Sequence, residues 1–154
     1  MMEQMIASWS MLMVHGLMVA GPCLELELAK LSGEENETTL RAANNFALSL
    51  VDLQRFKEAK KLLRKVMPIS RRVLGESHRL TLKMRKMYGE ALYENPAGAT
   101  LDDLREAVTT FEDLERIARR IFGGAHPFTV HTEDDLKRSR AALRAREETP
   151  PGVV

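Results

Sequence analysis

The sequence predicts an all-α fold: antiparallel helix pairs stacked into a short solenoid, closed by capping helices. Three observations predict it. A Gly-containing signature recurs three times, apolar positions between the recurrences follow helical spacing, and no segment sustains the period-two alternation of a strand. The recurring stretches are Gly33-Glu34-Glu35-Asn36-Glu37-Thr38-Thr39-Leu40, Gly75-Glu76-Ser77-His78-Arg79-Leu80-Thr81-Leu82 and Gly123-Gly124-Ala125-His126-Pro127-Phe128-Thr129-Val130. The first two are 42 residues apart and the last two 48, and the segment Asn95-Pro96-Ala97-Gly98-Ala99-Thr100 accounts for the extra six.

Each unit reads as helix A, a short turn, helix B and a Gly-containing connector. In helix A, Phe46, Ala47 and Leu50 correspond to Tyr88, Gly89 and Leu92. In helix B, Phe56, Ala59 and Leu63 correspond to Leu104, Ala107 and Phe111, and Ile69, Arg71-Arg72 and Val73 to Ile117, Arg119-Arg120 and Ile121. This large-small-large rhythm lets two helices cross closely at the small residue. Thr38-Thr39 and Ser77 stand where a hydroxyl would accept the orphan N–H groups of a helix start. Gly33, Gly75 and Gly123 stand where a helix ends in positive φ. Asp102-Asp103 suit the positive N-terminal end of the second helix B. Pro68 lies inside the first helix B and predicts a kink there.

The units are expected at 33–74 and 75–122, followed by a lone helix A at 129–146 and a disordered tail at 147–154. That last helix carries Lys137 and Arg140 where small and apolar residues stand earlier, as a polar end cap would. Two units are near the lower limit for a self-sufficient array, so low stability is expected of the chain alone.

Composition narrows the class. Of 154 residues, 44% are hydrophobic, 29% charged and only 5% aromatic, which suits packed helices. Net charge is +1 and argues for no nucleic-acid partner. Charge is nonetheless banded: Arg55 to Lys86 holds twelve Lys/Arg against two Asp/Glu, and Glu90 to Glu115 one Arg against eight acids. Such bands steer a complementary partner or pair with each other. Lys57, Lys60, Lys61, Arg64, Lys65, Arg71 and Arg72 form the basic band, but its only nearby aromatics, Phe56 and Tyr88, sit at core positions, and nucleic-acid binding wants interleaved stacking rings.

No phosphate-binding loop, dinucleotide fingerprint or zinc-protease helix is present, so no enzyme and no cofactor is expected. His78 and His126 occupy equivalent connector positions and read as structural. His126, His131 and Glu133 make a poor metal site because Pro127 constrains the turn. The lone Cys23 has no activating neighbour, and the sequon Asn36-Glu37-Thr38 stands without a credible secretory signal. The apolar segment 1–30 is the odd one: from Met5 to Leu24 no residue is charged, and six of the nine methionines lie in or beside that run. Three readings stay open for it: a helix packed on the first repeat or a truncated preceding repeat, an artefactual or fragmentary start, or a signal or membrane segment. Glu3 and the polar and Gly/Pro interruptions argue against the last, so no membrane role is expected and the setting is taken as cytoplasmic.

The pattern resembles the tetratricopeptide repeat, and more closely the 42-residue form of kinesin light chains and their relatives. Thr39-Leu40-Arg41, Asn44-Asn45-Phe46-Ala47, Gln54-Arg55-Phe56-Lys57-Glu58-Ala59 and Arg71-Arg72-Val73-Leu74-Gly75-Glu76 carry the resemblance, which extends over Leu31 to Arg146. It implies a non-enzymatic module that holds a peptide of a partner protein in a groove of stacked helices A. In such relatives helix-A asparagines contact the peptide backbone. Asn44 takes that position, and its equivalents are Lys86 and Asp134. The other groove positions are Arg41, Leu48, Lys83, Glu90 and Tyr93, and Arg41, Lys83 and Lys86 would favour an acidic segment. The alternatives are a structural fragment without a ligand and an anion-binding surface on the basic band.

Overall fold

A computed structural model describes residues 36–95 and 98–149. The apolar N-terminal segment, Cys23, Gly33 and residues 150–154 lie outside the described residues. Five helices follow in order: α1 Asn36–Asp52, α2 Phe56–Leu74, α3 Arg79–Tyr93, α4 Leu101–Phe122 and α5 Pro127–Glu148. Among the described residues there is no strand. The chain forms two compact units, divided between Met84 and Arg85, so α3 contributes its first turns to one and the rest to the other.

In the first unit α1 packs against α2. Leu40, Ala43, Phe46, Ala47 and Leu50 of α1 are buried, as are Phe56, Ala59, Leu62, Leu63, Val66 and Met67 of α2. The turn between the helices is three residues long, with Gln54 at a φ of 57°. Arg55 N–H reaches back to Leu50 O at 2.8 Å and closes it. The α-helical run of α2 is continuous through Pro68, whose ring lies on the exposed face. At the far end of α2 the Ser70 and Thr81 hydroxyls, both buried, stand 2.7 Å apart and join α2 to the start of α3.

In the second unit α3 crosses α4 at the predicted small residue. A Cβ built on Gly89 would lie 2.5 Å from Cζ of Phe111, so the ring occupies the space a side chain would need. Tyr93 meets the same ring edge-on, with centroids 5.8 Å apart. At the equivalent positions of the first unit stand Ala47 and Leu63, both fully buried. A methyl is lost on one helix and an aromatic ring gained on the other, as conserved core volume requires. Leu104, Ala107, Leu114 and Ala118 complete the inner face of α4, against which α5 packs.

Helix ends are set by a mixture of expected and unexpected groups. Gly75 and Gly123 end α2 and α4 at φ of 96° and 85°, as their positions predicted. Thr100 and Asp103 form a reciprocal capping box at the start of α4, Asp103 N–H donating to Thr100 Oγ1 at 3.1 Å and Thr100 N–H to Asp103 Oδ2 at 3.3 Å. Ser77 does not cap α3. His78 does: its Nδ1 accepts the Leu80 N–H at 3.2 Å. His126 repeats the device at α5, accepting from Phe128 N–H at 3.1 Å. The imidazole reaches the second N–H of the helix as a carboxylate or hydroxyl would, and this is the structural role of both connector histidines. Thr38 and Thr39 likewise lie within α1, which begins at Asn36. With Pro127 at its first position, α5 starts two residues earlier than expected, and it runs to Glu148, so 147–148 belong to the helix and not to a tail.

Two substitutions test this packing. Gly89→Ala should cost about 1–3 kcal/mol net, overpacking outweighing the helix propensity gained, and adding Phe111→Leu should recover much of it. Thermal or urea unfolding in which Gly89→Ala matches or exceeds wild type would contradict the crossing. Thr129 and Ala118 are the 48-residue equivalents of Thr81 and Ser70, and the buried Thr129 Oγ1 has no hydrogen-bond partner among the described residues. Ala118→Ser should therefore supply the missing hydroxyl and stabilise by roughly 0.5–1 kcal/mol, read as a rise in urea midpoint.

Candidate functional site

The predicted groove residues divide between the two units and meet different fates. In the first, Arg41, Asn44 and Leu48 fall at i, i+3 and i+7 along one face of α1. The Arg41 guanidinium is held by Glu37, with Nη2 to Oε1 at 2.7 Å, and the pair lowers the Glu37 carboxyl from its ordinary value through the hydrogen bond first and the charge second. Leu48 is 46% exposed, a large aliphatic side chain left in water. Asn44 is buried, and its amide is poorly used. Nδ2 makes one long contact of 3.4 Å with Asn45 Oδ1, while Oδ1 has no partner among the described residues. A buried amide oxygen without a donor costs about 1–3 kcal/mol relative to a satisfied one. Lys83, on the first turns of α3, is exposed.

In the second unit Lys86, Glu90 and Tyr93 are drawn together, but into the protein's own polar network. Lys86 pairs with Glu90 one turn on, and its Nζ lies 2.9 Å from Asp135 Oδ2 on α5. The Tyr93 hydroxyl is 3.1 Å from Asp135 Oδ1 and 3.2 Å from Glu94 Oε1. Lys86 therefore offers no free charge to an acidic ligand, contrary to expectation. The cause is Asp135, a buried carboxylate 49 residues away that demands a cation and a donor. Burial pulls Lys86 down, but hydrogen bonds and charge from Glu90 and Asp135 outweigh it and its net shift is upward. Burial raises Glu90, with Asp135 and Glu94 adding to it against the pull of Lys86. Burial and the same acids raise the Tyr93 phenol far above its ordinary range.

The third helix-A equivalent, Asp134, is exposed and pairs with Arg138 at 2.8 Å. The asparagine ladder is thus confined to Asn44. Lys137 and Arg140 are exposed. The imagined metal site is dispersed: His126 caps a helix and stacks on Phe122 at 4.7 Å, and Glu133 pairs with Arg119. Among the described residues no cluster could hold a metal ion, and no helix is long and apolar enough to cross a membrane. The charge bands touch at Arg85, fully buried on α3 and 3.9 Å from Asp113, and at Lys86 with Glu90. Within the acidic band Asp102, Asp113 and Glu115 find cations on α4 itself, and Glu112 finds one on α5.

The segment that contains the α1–α2 pair, its connector and the start of α3, residues 39–80, matches the tetratricopeptide repeat family. That segment is a tetratricopeptide repeat. No curated protein and no solved structure matches the chain. Repeats of this family generally mediate protein–protein interaction and are not catalytic. The matched repeat ends two residues after His78, so the histidine cap of α3 lies within it. Asn44, Arg41 and Leu48 all lie inside the matched repeat, whereas Lys86, Glu90 and Tyr93 lie beyond it.

The polar network has an alkaline signature. Lys86 and Tyr93 hold protons in the folded chain at pH values where the unfolded chain has released them. The stability they contribute is complete below pH about 10 and falls as pH rises beyond it. Difference absorbance at 295 nm between wild type and Tyr93→Phe should show no ionisation from Tyr93 below pH about 11 while the chain stays folded. Ordinary ionisation near pH 10 would contradict the network.

Proposed function

We propose that the chain is a non-enzymatic interaction module that holds a peptide segment of a partner protein against the helix-A face of its first repeat, in the manner of the 42-residue kinesin-light-chain-like repeats. The amide oxygen of Asn44, unsatisfied among the described residues, carries this reading. A buried acceptor without a donor is what a peptide N–H would complete, and the amide's other end can donate to a peptide carbonyl in the same contact. Leu48 offers an apolar contact one turn away, and Lys83 supplies positive charge. With Lys86 engaged by Glu90 and Asp135 and Arg41 by Glu37, a preference for acidic segments rests chiefly on Lys83. It is a preference of selection more than of affinity, because exposed charges contribute about 0–1 kcal/mol each. A cytoplasmic setting, consistent with a single cysteine, belongs to the same proposal.

The anion-binding alternative on α2 gains nothing comparable: Lys60, Arg64 and Lys65 are already engaged, and Phe56 is buried. Peptides selected by display against the full chain should lose roughly tenfold in affinity on Asn44→Ala, the equivalent of about 1.4 kcal/mol, with far-UV circular dichroism unchanged. Lys83→Ala should weaken acidic peptides only. Selection that yields no binder, or binders indifferent to Asn44, would favour a structural fragment without a ligand.

A further inference from the structure

The α4–α5 hairpin carries a pattern that the helix-A groove does not use. Three ion pairs join the helices: Arg105 to Glu147 at 3.6 Å, Glu112 to Arg140 at 2.7 Å, and Arg119 to Glu133. As one helix advances seven residues the other retreats seven, so the pairs form an antiparallel ladder with strict seven-residue steps. Its signs alternate, Arg-Glu-Arg on α4 facing Glu-Arg-Glu on α5. Flanking pairs of this kind choose the partner and orientation of a coiled pair of helices. Meanwhile the face that α5 buries is poor in hydrocarbon: Thr129, Thr132, Asp135, Leu136 and Ser139, with Leu136 its one large aliphatic side chain. Asp135 adds two more polar ties, to Lys86 and Tyr93. The place of α5 is therefore specified by charge, and any helix with the same charges in the same steps fits the same acceptor. A second copy of this chain supplies one.

We propose that the face α4 and α3 turn toward α5 is a docking surface for a second copy of this chain, entered by reciprocal exchange of α5. The connector is short, with only Gly123 to His126 between α4 and α5, and short hinges invite exchange. Exchange replaces each contact by its twin, so its cost is mainly that of bringing two copies together. The tethered α5 competes at an effective concentration on the order of millimolar. Wild type is thus a monomer at micromolar concentration, and exchanged dimer accumulates toward millimolar.

The ladder permits a decisive test on the full chain. One variant reverses the α5 rungs, Glu133→Arg, Arg140→Glu and Glu147→Arg. A second reverses the α4 rungs, Arg105→Glu, Glu112→Arg and Arg119→Glu. Each alone opposes like charges, whereas an exchanged heterodimer of the two restores all six contacts. At roughly two- to fivefold per contact, the heterodimer gains roughly a hundred- to ten-thousandfold over wild-type exchange, enough to form at micromolar concentration. Sedimentation at 10 µM should then show each variant alone as a monomer of reduced melting temperature and the equimolar mixture as a dimer, with the lost thermal stability regained. One molar salt should dissolve the dimer. The sixfold variant carrying both sets should be a monomer more stable than either parent, short of wild type only by the pairs of Arg105 with Asp102 and Arg119 with Glu115 within α4. A mixture that stays monomeric beside a stable sixfold variant overturns exchange, and a sixfold variant no more stable than either parent overturns the ladder.

Discussion

The close approach of α3 to α4 at Gly89 is the constraint on which the second unit depends. Phe111 can lie over the backbone of α3 only because nothing projects from that position. Once seated, the ring gives Tyr93 an edge-on partner, which places the Tyr93 hydroxyl within reach of Asp135. That carboxylate is in turn joined to Lys86. A packing decision about one hydrogen atom in place of a methyl thus propagates into the electrostatics of three helices. The first unit solves the same problem with Ala47 and Leu63, smaller on one side and larger on the other, and needs no such polar network nearby.

Much of this was legible in the sequence because repetition exposes burial. Residues paired by the 42- and 48-residue offsets share their environments: Ala59 and Ala107 are fully buried, Leu63 and Phe111 likewise, and Val73 and Ile121 are both exposed at helix ends. Helix boundaries were less legible. Histidine competes poorly with serine as an expected cap, and only the direction of its Nδ1 toward the second N–H reveals the role. Its recurrence in two connectors was the available signal. The engagement of Lys86 was invisible for another reason. Aligning repeats compares Lys86 with Asn44 and Asp134, while the residue that controls its charge, Asp135, aligns with Met87 and Asn45 and belongs to no recognised groove position. Repeat logic describes what equivalent residues share and is blind to what one unit does to the next residue over.

The two ends of the same logic differ in how they treat polarity. Along α1 an amide is buried with its oxygen unmet among the described residues. Along α5 Thr132, Asp135 and Ser139 stand where α3 has Met84, Met87 and Ala91, so the helix closes the core with little aliphatic surface. Buried hydroxyls on helices can also return their hydrogen bonds to the preceding turn, as Thr132 does to Phe128 O at 2.7 Å and Ser139 to Leu136 O at 3.0 Å. A helix can thus close a core with few aliphatic side chains.

The ladder between α4 and α5 also says something about shape within that hairpin. On straight α-helices a row of side chains at seven-residue intervals drifts by about 20° with each step. Over the two steps of this ladder, roughly 21 Å of axis, the long Arg and Glu side chains take up that drift. A fourth rung would need the gentle left-handed winding by which coiled coils keep such rows facing.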